Sequence, residues 1–201
     1  MSRRLRIVVA DDEPDMQEYF RDVLARLGHE AVGVARTGDE LVAQVQALRP
    51  DLAITDIKMP GMDGLEAVAK ICQHGPLPVV IVSAHADERF VERAEKDHIF
   101  AYLVKPVRET NLGPAIRIAM RRFDEFQALR QEANDLRQAL NDRKLIERAK
   151  GIIMKQAQLD EEAAFRRLQK IASSTNKRLA EVAAMVVATS QALEPESRGP
   201  G

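Results

Sequence analysis

Short, nearly unbroken apolar runs punctuate residues 5–122: LRIVVA (5–10), AVGVA (31–35), LAITD (52–56), PVVIVSA (78–84) and FAYLVKP (100–106). They are rich in Val and Ile and do not alternate with polar residues, which predicts strands buried on both faces, as in a parallel sheet. Helical patterns separate them at 15–27, 38–48, 64–73 and 87–97, and a fifth helix starts after Arg108. Five strand–helix units in series predict an α/β fold, a (βα)5 open doubly wound parallel sheet.

The pattern then changes. No turn signal interrupts 115–156, which predicts one long helix. Leu129, Ala133, Leu136 and Leu140 follow 4-3-4 spacing among polar neighbours, a short heptad seam suited to a partner helix. Beyond it the chain reads as a small three-helix all-α module. Its first helix ends near 156–158, and Asp160 caps the second, with Glu161 and Glu162 in the first turn. Ala164, Phe165, Leu168, Ile171 and Ala172 form that helix's apolar face, and the third helix starts near Arg178. The predicted organisation is an α/β domain at 1–122, a coiled-coil linker at 123–142, a helical module at 143–190 and a disordered tail at 191–201.

Charge follows the same division. The net charge is -1, which argues against a wholly basic nucleic-acid binder. Residues 143–178, however, hold ten Lys/Arg against four Asp/Glu, net +6, while the remainder holds twenty against twenty-seven, net -7. Two parts with different partners are implied. The single cysteine, Cys72, excludes an intrachain disulfide and reads as a small core residue. The apolar run near the N-terminus is too short for a signal peptide, and no run is long enough to span a membrane. The expected location is cytoplasmic, with no membrane partner.

Ligands of doubly wound sheets bind outside the carboxyl ends of the strands, and those ends are polar here. Strand one ends in Asp11-Asp12-Glu13, strand three in Asp56, strand four in Ser83 and strand five in Lys105-Pro106. Clustered carboxylates repel unless a cation shares them. An oxygen-only set of Asp11, Asp12 and Asp56 suits Mg²⁺. A carboxylate nucleophile beside Mg²⁺, a lysine and a hydroxyl fits formation of an aspartyl phosphate.

In order and spacing, VVADDE, TDIKMPGMDG, VIVSA and AYLVKP resemble the motifs of the response-regulator receiver domain over residues 4–122. The resemblance implies that Asp56 accepts a phosphoryl group from a sensor histidine kinase. It further implies that Asp12 binds Mg²⁺ directly, that Asp11 assists through water and that the Lys58 carbonyl completes the metal site. Ser83 and Tyr102 would be the switch pair, Lys105 would contact the phosphoryl group, and a cis peptide would precede Pro106. His98-Ile99 departs from the Gly-Ala usual in the family. His85, near the pocket mouth, reads as a spectator. The chemistry implied is regulatory, not that of a metabolic enzyme.

RKLIERAKGIIM, LDEEAAFRRLQKIA and NKRLAEVA resemble the ANTAR domain, a three-helix RNA-binding antiterminator module, over residues 129–190. Gln158 stands where that family usually has glycine. The joint resemblance implies that phosphorylation promotes a homodimer, and that the dimer binds tandem RNA hairpins in nascent transcripts and blocks a terminator. Arg143, Lys144, Arg148, Lys150 and Lys155 are the candidate phosphate contacts, with Asn176, Lys177 and Arg178 from the start of the third helix. Gly151 costs its helix about 1 kcal/mol against alanine. Close approach by RNA or packing within the module would explain it, and Lys150 beside it could equally serve the fold, the RNA or both. The competing reading is a phosphorylation-dependent protein-interaction switch without RNA. A DNA-binding reading lacks a separate recognition helix.

Overall fold

The computed structural model describes residues 3–84 and 99–193. The helix expected at 87–97, together with His85, His98 and the chain beyond 193, lies outside them. Compactness divides the chain into two units between Ala128 and Leu129.

The first unit is built on β1 (Arg6–Ala10), β2 (Glu30–Ala35), β3 (Leu52–Asp56), β4 (Val79–Ser83) and β5 (Ile99–Val104), all parallel, in the order β2-β1-β3-β4-β5. Helices α1 (Pro14–Arg26), α2 (Gly38–Leu48) and α3 (Gly64–His74) cover the faces, with the start of a long helix, α4 (Glu109–Ala157). Every residue of β3 and β4 is buried, as continuous apolar runs require. Strand alternation sends Ile7, Val9, Ile54 and Val80 into a core against α1 and α4. Val8, Ala10, Ala53 and Ile81 enter a second core with residues of α2 and α3. Cys72 packs against the second core.

Helix ends follow the local chemistry. Thr37 and Asp63 cap α2 and α3 by accepting from Glu40 N and Glu66 N, and Pro14 opens α1 where its missing N–H costs nothing. Helix α4 starts directly after Arg108, whose carbonyl accepts from Asn111 N and Leu112 N, and it continues through Pro114. Near the helix start, proline gives up only one early-turn bond. Leu129, Leu136 and Leu140 are exposed at 67%, 60% and 59%, so the seam is not covered by its own chain.

The second unit joins the end of α4 to α5 (Glu161–Thr175) and α6 (Leu179–Leu193). Its core is Ala149, Ile153, Ala164, Leu168, Ala172, Val182, Ala183 and Val187. Asp160 caps α5 by accepting from Ala163 N at 2.7 Å. Gln158 takes a left-handed conformation (φ 50°) in the turn before α5, and Asn176 takes another (φ 52°) at its end. Asparagine is a common choice there; glutamine is not. Helix α6 extends to Leu193, so 191–193 are helical rather than part of a tail. No Gly or Pro precedes Pro195 to stop the helix.

Candidate functional site

The strand order places β1 between β2 and β3, which opens a crevice at the carboxyl ends of β1 and β3. Asp11, Asp12 and Asp56 meet there, each offering a carboxylate oxygen within 4.8 Å of the others. Asp11 and Asp56 are buried and Asp12 is exposed. Lys105 reaches in from beyond β5, with Nζ 2.6 Å from Asp56 Oδ2, 3.0 Å from Asp11 Oδ2 and 3.4 Å from Glu13 Oε1. The Lys105-Pro106 peptide is cis.

Backbone donors hold the remaining oxygens. Asp56 Oδ1 accepts from Ile57 N at 2.6 Å and Lys58 N at 3.3 Å, while Asp11 Oδ1 accepts from Glu13 N at 3.0 Å. Asp11 Oδ2 is buried and accepts no aligned hydrogen bond; Lys105 is near enough for charge attraction but badly directed. Burial raises the Asp11 carboxyl above its usual value. Lys105 and the Glu13 amide oppose this rise, and the Asp56 charge adds to it. For Lys105, burial alone would lower the ammonium, but the hydrogen bond to Asp56 and the nearby charges of Asp56 and Asp11 more than reverse it and hold it well above the usual lysine range. A buried carboxylate oxygen without a donor, in an all-oxygen cluster, fits a hard divalent cation shared by Asp11, Asp12 and Asp56.

Ser83 is buried at the end of β4, and its carbonyl accepts from Lys105 N at 2.8 Å. Tyr102 lies on β5 opposite Ile81, half-buried against the second core. Lys58 is exposed and turns its N–H, not its side chain, toward Asp56. Two further residues support the site, and only the first carries no signal in the sequence. Gln17 is buried in α1 and donates from Nε2 to the Asp11 carbonyl at 2.6 Å; nothing local distinguishes it from a surface glutamine. Gly64 packs so closely that an added Cβ would overlap the Asp56 carbonyl oxygen. It is the second glycine of TDIKMPGMDG, where sequence expects a tight turn, and the close approach to Asp56 gives the physical reason.

The basic candidates in the second unit separate into two groups. Lys144, Arg148, Gly151 and Lys155 recur at 4-3-4 spacing on one exposed stripe of α4. Among the described residues no carboxylate pairs with these three cations. Arg143 is also exposed. Lys150 differs. It is only 8% exposed, lies 5.9 Å from the Phe165 ring centroid, and pairs with Glu161 at 2.7 Å and Glu147 at 2.9 Å. Its stem is covered while its ammonium snorkels to two exposed carboxylates. The hydrogen bond with Glu161 holds Lys150 above and Glu161 below their usual values. Lys150 is therefore engaged within the module, which favours the fold side of its two expected roles. Gly151 meets nothing within 4 Å of an added Cβ, so packing inside the module does not explain it. Arg178 pairs with Glu181 at 3.0 Å, Lys177 is exposed, and Asn176 serves as the left-handed cap of α5 with its side chain exposed.

The model of the response regulator receiver domain matches residues 7–117, and that of the ANTAR domain matches 134–187. This chain belongs to the response regulator family. Transcriptional regulatory protein PdtaR of Mycobacterium tuberculosis H37Rv is 39% identical over 180 residues, 88% of either chain. The positive alginate biosynthesis regulatory protein of Pseudomonas aeruginosa PAO1 is 34% identical over 119 residues, 58% of this chain and 48% of that one. Among solved structures, a receiver domain protein from Clostridium thermocellum superimposes with TM-score 0.54 at 31% identity, covering 60% of this chain and 98% of that one. The response regulator domain of Thermotoga maritima CheB gives TM-score 0.53 at 26% identity, over 60% and 96%. The strand-end cluster thus sits in the receiver and the basic stripe in the ANTAR module. No helix among the described residues is long and apolar enough to cross a membrane.

Proposed function

We propose that this response regulator is a cytoplasmic, phosphorylation-controlled RNA-binding antiterminator. Asp56 takes a phosphoryl group from the phosphohistidine of a sensor kinase: a carboxylate oxygen attacks phosphorus, the P–N bond breaks and the imidazole leaves. Asp11, Asp12, Asp56 and the Lys58 carbonyl hold Mg²⁺, which when bound neutralises charge on the phosphoryl oxygens. Lys105, 2.6 Å from Asp56, supplies a second positive charge at the same place. Ser83 donates its hydroxyl to the phosphoryl group, and Tyr102 follows by shifting on β5, which biases the receiver surface. The exposed seam of Leu129, Ala133, Leu136 and Leu140 pairs with a second copy, and the dimer holds tandem RNA hairpins in nascent transcripts.

The observation that carries the RNA half is the exposed stripe of unpaired cations, Lys144, Arg148 and Lys155, interrupted by Gly151. Cations kept out of ion pairs remain available to phosphates, and a glycine lets a nucleic-acid backbone approach the helix. Arg143 and Lys177 extend the basic surface, Arg178 joins it from its exposed pair with Glu181, and Asn176 offers an amide to a base edge. Lys150 supports the module rather than touching RNA. The relative's name, a transcriptional regulatory protein, agrees with this reading.

Crosslinking in cells followed by RNA sequencing tests it, with the parent chain compared with Asp56→Ala. Structured leader RNAs should be recovered with the parent and be depleted with the variant. Equal recovery from both sinks the switch, and recovery of no RNA sinks the antiterminator.

A further inference from the structure

A cleft of about 470 Å³ opens between the end of α4, α5 and α6, a volume in the range of small-ligand sites. Its walls are apolar: Ile153, Ile171, Val182 and Val186, with the thioether of Met185 exposed at its edge. Three polar side chains punctuate that apolar lining. Gln156 presents an amide, Ser190 a hydroxyl, and Thr189 an oxygen whose proton already goes to the Met185 carbonyl at 2.9 Å. Arg167 is the one charged residue in the lining, and no carboxylate accompanies it. Lys177 adds a second cation at the edge, its Nζ 3.5 Å from the Met185 sulfur.

An apolar cleft with donor and acceptor groups, Arg167 in its lining and Lys177 at its edge matches a heterocycle carried on a polyanion. Bases in RNA loops are unstacked and need an apolar surface to replace their stacking partners. RNA-binding modules ordinarily supply aromatic rings for this. The only aromatic residue from Leu129 to Leu193 is Phe165, half-buried and engaged by Lys150. We infer that the cleft between α4, α5 and α6 receives one unstacked loop base of the bound RNA, with Ile171, Val182, Met185 and Val186 against its faces and Gln156 reading its edge. This rests on the RNA-binding reading and adds to it where the base goes. An apolar side chain of a protein partner would fit the same walls but would not need Arg167 and Lys177.

The test uses the full chain and a synthetic copy of the shortest hairpin it binds, prepared with each loop base in turn replaced by an abasic site. One abasic position should weaken binding roughly 5- to 150-fold, the range of one base–aromatic stack. Ala157→Phe, which fills the cleft from the exposed end of α4, should weaken the intact hairpin by a similar factor and leave that abasic hairpin's affinity unchanged. Gln156→Leu, on an exposed residue, should alter which base is preferred at the same position, which an unfolded variant would not do. Indifference to every abasic site, or equal weakening of intact and abasic RNA by Ala157→Phe with native circular dichroism, overturns the assignment. Salt-dependent hairpin binding that survives those results preserves the RNA reading and sinks only the cleft. Failure of the parent to bind any hairpin sinks both.

Discussion

Replacing Gly151 with alanine should strengthen the fold of the ANTAR module and weaken its hold on RNA. Gly151 lies inside α4, six residues before its end at Ala157, and is exposed. An added Cβ would meet no atom within 4 Å, so no clash offsets the gain. Alanine is favoured over glycine in a helix interior by about 0.8–1.0 kcal/mol. Part of that gain comes from the smaller freedom of the unfolded chain. A gain of about 1 kcal/mol slows globally limited exchange roughly fivefold, since RT is about 0.59 kcal/mol. Hydrogen exchange followed by mass spectrometry on full-length protein reads this directly in peptides from α5 and α6. Hairpin affinity, measured in parallel, should fall by about tenfold, or about 1.4 kcal/mol, because the methyl stands on the proposed path of the RNA backbone between Arg148 and Lys155. Faster exchange in Gly151→Ala would mean that the chain itself occupies the space. Slower exchange with unchanged affinity would mean that RNA does not cross at Gly151.

Asp11→Asn should stabilise the receiver in chelator at neutral pH, because it removes a buried negative charge beside Asp56 whose cost exceeds the attraction of Lys105. The folded Asp11 carboxyl is raised, so the parent's penalty is complete above that raised value and is relieved as the acid protonates. The difference in Tm should therefore close as pH falls to the ordinary value of 3.8, and a constant difference would sink the argument. Lys150→Ala should lower the Tm of the second unit without changing the salt slope of RNA binding. Glu161 is held below 4.5, so its share of the pair persists above that pH and disappears in stronger acid; a reduced salt slope would restore Lys150 to the RNA face. Leu136→Ser with Leu140→Ser should change monomer stability by no more than about 0.5 kcal/mol per site, because both leucines are exposed. The double variant should abolish self-association of beryllofluoride-treated protein in sedimentation equilibrium, and unimpaired dimers would place the interface elsewhere.

Much of the receiver was legible without coordinates, for a topological reason. In a parallel sheet every strand presents its carboxyl end to the same edge, so sequence put Asp11, Asp56, Ser83 and Lys105 on one edge, and the strand order β1-β3-β4-β5 brought them together. Helix starts were equally legible, since Asp63 and Asp160 act on amides only three residues away. Sequence could not supply Gln17, whose role depends on α1 facing the Asp11 carbonyl, or the direction of Lys105 toward Asp56 rather than squarely at Asp11.

The ANTAR module shows where local information stops. Lys150 and Gly151 are adjacent in AKG, and sequence left both divided between fold and RNA. Successive helical residues point about 100° apart, since a turn holds 3.6 of them. Which one turns inward depends on where another helix lies. Packing of α5 put Glu161 and Phe165 beside Lys150 and left Gly151 in open space. Sequence determined that a basic, apolar helix would carry both faces. Tertiary packing alone decided which cations are neutralised within the fold and which are left for a partner.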